Sequence, residues 1–249
     1  MKEMSFVVKD LEFIYDSKLN NEMFVAFVEI ILEKGSLTET LSSSDDFKRY
    51  GKNYALYKDR ILKEYMDFGS NTFLSQKSYK DILCDVAKKL KVNFNKNQSV
   101  ELIESRLLEK VLEETFEKMK PEEKEELLKS LAADAKGNYG TIECGREITS
   151  VLMLAFQLGG FASYKLTVII ANTVAKMILG KGLTFATNAA LTKAMSVITG
   201  PLGMILVALW TIYDIAGPAY RVTIPCTIMI ACMRRELQVR EDEIIKLMC

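Results

Sequence analysis

Between Thr149 and Met233 the chain runs for 85 residues with only six charged side chains: Lys165, Lys176, Lys181, Lys193, Asp214 and Arg221. The 148 residues before it hold 52 of the 66 charges. Charge is costly to remove from water, so a third of this protein is built for a different solvent, either the interior of a bundle or a bilayer. The stretch is also net basic, +4 against −4 over residues 1–148.

Helical periodicity fills nearly the whole sequence, and only four prolines interrupt it. Asp10 to Tyr15 opens a short amphipathic element. Asn20 or Asn21 can cap a helix whose apolar positions Phe24, Phe27, Val28 and Ile31 share one face. Gly35 ends it, and Ser36 with Glu39 has the form of a capping box. Ser42 to Asp46 reads as a loop or the cap of the next helix. A helix over Tyr50–Phe68 is predicted to bury Tyr54, Tyr57, Ile61, Leu62 and Tyr65, and Gly69-Ser70-Asn71 breaks it. Ser78 with Asp81 is a second capping box, leading into Ile82, Leu83, Val86, Ala87 and Leu90. Ser99 starts a long helix with a broad apolar face, which suits a globular bundle better than a coiled-coil seam. Pro121 is well placed at the first position of the helix after it, with Glu122 and Glu123 near its positive end. Gly137 to Gly140 is the clearest linker.

Glycines divide the apolar third. One helix is expected from about Ile142 to Leu158 and a second from Phe161 to Leu179. On the second, Asn172 and Lys176 each fall within about 20° of Lys165 around the helix, and the three form a narrow polar stripe. After Gly180-Lys181-Gly182, the ladder Thr184, Asn188, Thr192 and Ser196 again marks one polar face. Ala194 to Tyr213 then runs twenty residues without a charge, broken by Gly200-Pro201. Twenty residues at 1.5 Å rise cross about 30 Å of hydrocarbon, and Trp210 and Tyr213 lie near one end as an aromatic belt would. The polar stripes and the Gly-Pro interruption favour instead a bundle with this hairpin at its centre.

The chemistry that composition excludes is broad. Histidine is absent, which removes Ser-His-Asp and Cys-His catalysis and histidine metal sites. The five cysteines stand singly, without a C-x-x-C pair, and read as reduced thiols in a cytoplasmic compartment. Charge is balanced overall, which argues against nucleic acid as partner. Gly180-Lys181-Gly182 lacks the remaining residues of a phosphate loop. The pairs Asp81 with Asp85, Glu109 with Glu113 and Glu117, and Glu143 with Glu147 read as solvated faces, so neither metal nor cofactor is expected. The opening MKEMSFVVKDLEF has acids at Glu3 and Asp10 and no apolar core, so no signal peptide is expected. The most site-like segment is Trp210–Pro225. There Asp214, Gly217, Pro218, Tyr220 and Arg221 gather an acid, a base and a sharp turn in apolar surroundings, as a structural clamp or a partner site.

That segment, DIAGPAYRVTIP, together with GGFASYKLTVIIANTVAKMILGKGL and ATNAALTKAMSVITGPLGMILVALWTIYDIAGPAYR, closely resembles the bacterial YaaW-type family of uncharacterised proteins. YKDILCDVAKKLKVNFNKNQSVELIESRLLEKVLEETFEKM is similar to that family's central region, and DLEFIY to its short N-terminal domain. The family is grouped with the ubiquinol–cytochrome c chaperone, an α-helical assembly factor of a respiratory membrane. The resemblance implies an all-helical fold and an assembly or chaperone role, and assigns no catalytic or ligand residue. The expectation is therefore an all-α multi-helix bundle. It has a small helical N-terminal module over 1–70 and a bundle over 71–249, the latter made of amphipathic helices over 71–136 and an apolar, glycine-punctuated core over 141–235. Such a chain is expected to be non-enzymatic and to bind a protein partner, at the cytoplasmic face of the inner membrane if it binds a membrane at all. The alternative is a membrane-inserting or pore-forming effector that uses 161–213 as its hairpin.

Overall fold

In a computed structural model, which describes residues 9–35, 38–70, 77–132, 148–184, 189–211 and 219–248, the chain is all-helical. Among the described residues ten α-helices follow one another: α1 Asn21–Gly35, α2 Asp45–Tyr50, α3 Lys58–Gly69, α4 Tyr79–Lys89, α5 Val100–Lys118, α6 Pro121–Ala132, α7 Ile148–Gln157, α8 Gly160–Leu179, α9 Ala189–Thr211 and α10 Tyr220–Met248. Short 3-10 turns cover Lys9–Tyr15 and Tyr54–Tyr57. No strand occurs among the described residues.

Helix starts follow local side-chain chemistry. Asn20 Oδ1 accepts from the amides of Glu22 and Met23 at 3.1 and 3.3 Å. Ser44 and Ser99 accept from the amides of Phe47 and Leu102. Ser78 and Asp81 form the reciprocal capping box that the sequence predicts. The box expected at Ser36 does not lead into a helix. Glu39 turns its carboxylate to the amide and hydroxyl of Ser42 instead, and Ser36 lies outside the described residues. The single helix predicted over Tyr50–Phe68 is three pieces, because Gly51 ends α2 at φ 57°, a region that favours glycine. Its predicted inward residues Tyr54, Tyr57, Ile61, Leu62 and Tyr65 are nevertheless all buried.

The centre of the bundle is the first half of α10. Every residue from Val222 to Met233 is buried. Around it pack α8, α1, α5, α3 and α4. Twelve uncharged residues can sit there because their two threonines bond back to the helix, Thr223 to the Ala219 carbonyl and Thr227 to the Thr223 carbonyl. Tyr65 of α3 meets Thr227 hydroxyl to hydroxyl at 2.8 Å, which ties the N-terminal helices to this axis. The uncharged 194–213 segment was the expected centre, and its described part is not. Helix α9 lies across α5, α6 and α8, and only 39% of Leu191–Ala208 is buried, against 78% of Gly160–Leu179. The reason is periodicity. Leu191, Ala194, Ile198, Leu202 and Leu206 recur on one side of α9 and are buried, while Lys193, Gly200, Met204 and Val207 share the other.

Candidate functional site

Three cations in or just beyond the apolar region have definite tasks. Helix C-termini leave carbonyls without intrahelical partners and carry partial negative charge. Lys165, predicted as part of a narrow polar stripe, is fully buried and donates to the Ser130 carbonyl at 2.9 Å in the last turn of α6, over the Phe161 ring. Arg221 donates to the Lys34 carbonyl at 2.8 Å at the end of α1. Arg235 donates to the Phe156 carbonyl at 2.8 Å at the end of α7 and to the Ser163 hydroxyl at 3.0 Å. Each of these cations thus closes the end of a different helix. Asn172, of the same stripe, is also buried. Its Oδ1 accepts from the Leu183 amide at 2.8 Å and fixes the turn after α8. A Cβ on Gly182 would stand 2.5 Å from that oxygen, so the turn requires glycine there.

Of the five predicted site residues, Asp214, Gly217 and Pro218 lie outside the described residues. Tyr220 stacks against the Lys89 ammonium at 5.2 Å, and burial raises its phenol pKa, helped by Asp85. Arg221 closes α1, as above. Tyr220 and Arg221 therefore contact separate elements, α4 and α1.

A buried polar cluster that the sequence did not single out joins three helices. Glu104 of α5 is 2% exposed. It accepts from Arg234 Nε of α10 at 2.6 Å and from the Tyr79 hydroxyl of α4 at 2.5 Å. Arg234 also donates to the Asp10 carbonyl, lies over the Phe13 ring at 4.1 Å and stands 3.6 Å from Glu101. Burial pushes the Glu104 carboxyl above the usual carboxylate range against the pull of Arg234. Burial also works against the Arg234 charge, but Glu104 and Tyr79 more than offset it and hold that proton more firmly. A visible signal was present, since Glu104 stands in register with Val100, Leu108 and Leu112 on the apolar face.

Two cavities are lined by described residues. One of about 260 Å³ lies between α1 and the turn after α8. Its Glu22 accepts from the Thr184 amide at 2.6 Å, and its Glu29 pairs with Lys181 at 2.8 Å. A groove of about 750 Å³ beside Lys91–Gln98 runs between α5 and α7. Its charges pair along α5, Arg106 with Glu109 at 2.9 Å and Lys110 with Glu113 at 3.8 Å. Among the described residues no three carboxylates or thiols gather as a metal would require.

The outward face of α9 remains. Lys193, Gly200, Met204 and Val207 fall within about 60° around the helix. Met204 is 59% and Val207 51% exposed, and Gly200 faces open space. Both side chains stand on a helix long and apolar enough to cross a bilayer, while Leu158 at 71% and Leu56 at 58% are as exposed elsewhere.

A UPF0174 protein of Helicobacter pylori strain J99 is 41% identical to this chain over 242 residues, covering 94% of each. The chain belongs to the UPF0174 family. Another member, from H. pylori strain 26695, is 34% identical over 82% of this chain and its own full length. The UPF0174 protein YaaW of Escherichia coli K12 is 32% identical over 91% of this chain and 93% of its own. No family profile matches the chain, and no solved structure matches it significantly. The expected YaaW-type family is thereby shown. The relatives' names carry no activity, and none of them brings the chaperone grouping with it.

Proposed function

We propose that this UPF0174 protein is a non-enzymatic docking factor. It rests on the cytoplasmic face of a membrane through the outward side of α9 and offers its charged helical body to a protein partner. One observation carries this reading: among the described residues the more apolar of the two long apolar helices, α9, is less than half buried over Leu191–Ala208, with Met204 and Val207 outward, while α8 is largely enclosed. A helix buried on one side and apolar on the other can lie in the interface plane, its free face about 5–10 Å into the headgroup and acyl boundary. An assembly-factor role at a membrane is compatible with that arrangement and is the partner class to test first.

The reading is tested by floating the full chain with vesicles of bacterial polar lipid. The wild type is expected to float, and the double variant Met204→Asp/Val207→Asp to remain at the bottom with an unchanged melting temperature. A wild type that never floats refutes it. The alternative, insertion of the 161–213 hairpin, draws support from length alone, since both helices are long enough to span. Burial of Lys165 at the end of α6 weighs against it, because inserting α8 would strip that ammonium of its carbonyl partner.

A further inference from the structure

The outward face of α9 is not uniform along its length, and the difference points to the kind of membrane it fits. Five basic residues lie between Thr149 and Met233. Two are spent inside the fold, Lys165 on the Ser130 carbonyl and Arg221 on the Lys34 carbonyl. The other three, Lys176, Lys181 and Lys193, are all exposed. They come from the last turn of α8, the turn after it and the start of α9, so the chain gathers them at one end of the α8–α9 hairpin. The carboxylates that the α1 side presents there are already engaged. Glu29 holds Lys181 at 2.8 Å and Lys52 at 3.6 Å, and Glu22 accepts from the Thr184 amide. Lys176 and Lys193, exposed at the last turn of α8 and the start of α9, add two positive charges to this end of the hairpin beside the Lys181–Glu29–Lys52 group.

Lys193 shares the outward stripe with Met204 and Val207. At 1.5 Å per residue it lies about 16 Å from Met204 and about 21 Å from Val207 along the axis. The outward face of α9 is therefore basic at its start and apolar toward its end.

Resting on the docking reading above, we infer that α9 meets an anionic lipid surface obliquely. Lys193 and Lys176 take the acidic headgroups while Met204 and Val207 enter the acyl boundary. A neutral surface offers the second contact and not the first. A lysine near an anionic leaflet contributes enough attraction for roughly a five-fold change in binding, screened by salt. Lys181, shared with Glu29, contributes less.

The test is co-sedimentation of the full chain with phosphatidylcholine vesicles and with vesicles in which phosphatidylglycerol replaces a minority of the phosphatidylcholine, at low and high salt. Binding is expected to favour the phosphatidylglycerol vesicles and to weaken with salt. Lys176→Gln/Lys193→Gln should lower that binding on the order of 25-fold and leave the weaker attachment to neutral vesicles unchanged. Equal binding to both vesicles without salt dependence overturns the headgroup contact and leaves the docking face standing. Binding to neither overturns both, and self-association of the chain that Met204→Asp abolishes would then assign the face to a second copy.

Discussion

Removing the carboxylate at position 104 should be among the most damaging single changes in this protein. Glu104 and Arg234 have side chains 3% and 11% exposed, so solvent screens their contact very little. Glu104→Gln leaves Arg234 charged and nearly enclosed, with only the Asp10 carbonyl, the Phe13 face and the more exposed Glu101 as company. Breaking a buried pair from one side costs about 3–5 kcal/mol. At about 2–4 °C per kcal/mol for a chain of this size, the melting temperature should fall by roughly 6–20 °C. Arg234→Met should cost a comparable amount. The double variant Glu104→Leu/Arg234→Met should recover most of the loss, because it removes both desolvation penalties together. Urea unfolding followed by far-UV circular dichroism measures all three together with Glu104→Leu, and the cycle of Glu104→Leu, Arg234→Met and their double variant gives the coupling. The raised pKa of Glu104 adds a pH signature. The folded form binds this proton more readily than the unfolded one, so stability from this group is greatest at low pH and declines as pH rises through the interval between the two pKa values. Glu104→Gln should remove that slope. Single-variant losses under about 0.5 kcal/mol, the range of ordinary surface changes, or losses that simply add in the double variant, would refute the reasoning.

Three other outcomes follow from local geometry. Lys91 occupies a left-handed position at φ 54°, just past the end of α4, where the Val92 amide bonds back to the Ala87 carbonyl; Lys91→Gly should raise the urea midpoint by about 0.5–1 kcal/mol equivalent, with unchanged slope. A Cβ on Gly69 would stand 2.3 Å from Ile82 Cδ1, so Gly69→Ala should lower stability by about 1–3 kcal/mol in the same assay. The thiols of Cys84, Cys226 and Cys232 are buried and burial raises their pKa; a thiol-reactive dye at neutral pH should leave these three unmodified in the native protein and modify them on unfolding.

The helices were legible because their signals are local. Ser78, Ser99 and Pro121 stand where they start helices, and the apolar spacing from Val100 to Phe116 fixed the buried face of α5. Gly51 was equally visible, and reading a helix through it merged pieces that the backbone keeps apart. The assignment of the centre was not legible. Residues 194–213 and 222–233 are both uncharged, and composition ranks the longer segment first. The difference lies in which helix has partners on every side, a non-local property that no period encodes. The same limit applies to the cations. Lys165, Arg221 and Arg235 could each be seen to need a partner, but their partners are backbone carbonyls 35, 187 and 79 residues away. Backbone carbonyls carry no sequence signature. Glu104 on an apolar stripe demanded a cation, and choosing Arg234 over Arg235 required the fold.

The central claim, that α9 rests on a membrane surface, is tested most directly by fractionating cells that express the native chain at its natural level, with salt and carbonate washes of the membrane pellet. The account predicts recovery with the membranes and release by carbonate, as befits one helix face lying in the interface. Full recovery in the soluble fraction would contradict docking, and retention through carbonate would contradict a surface position in favour of insertion.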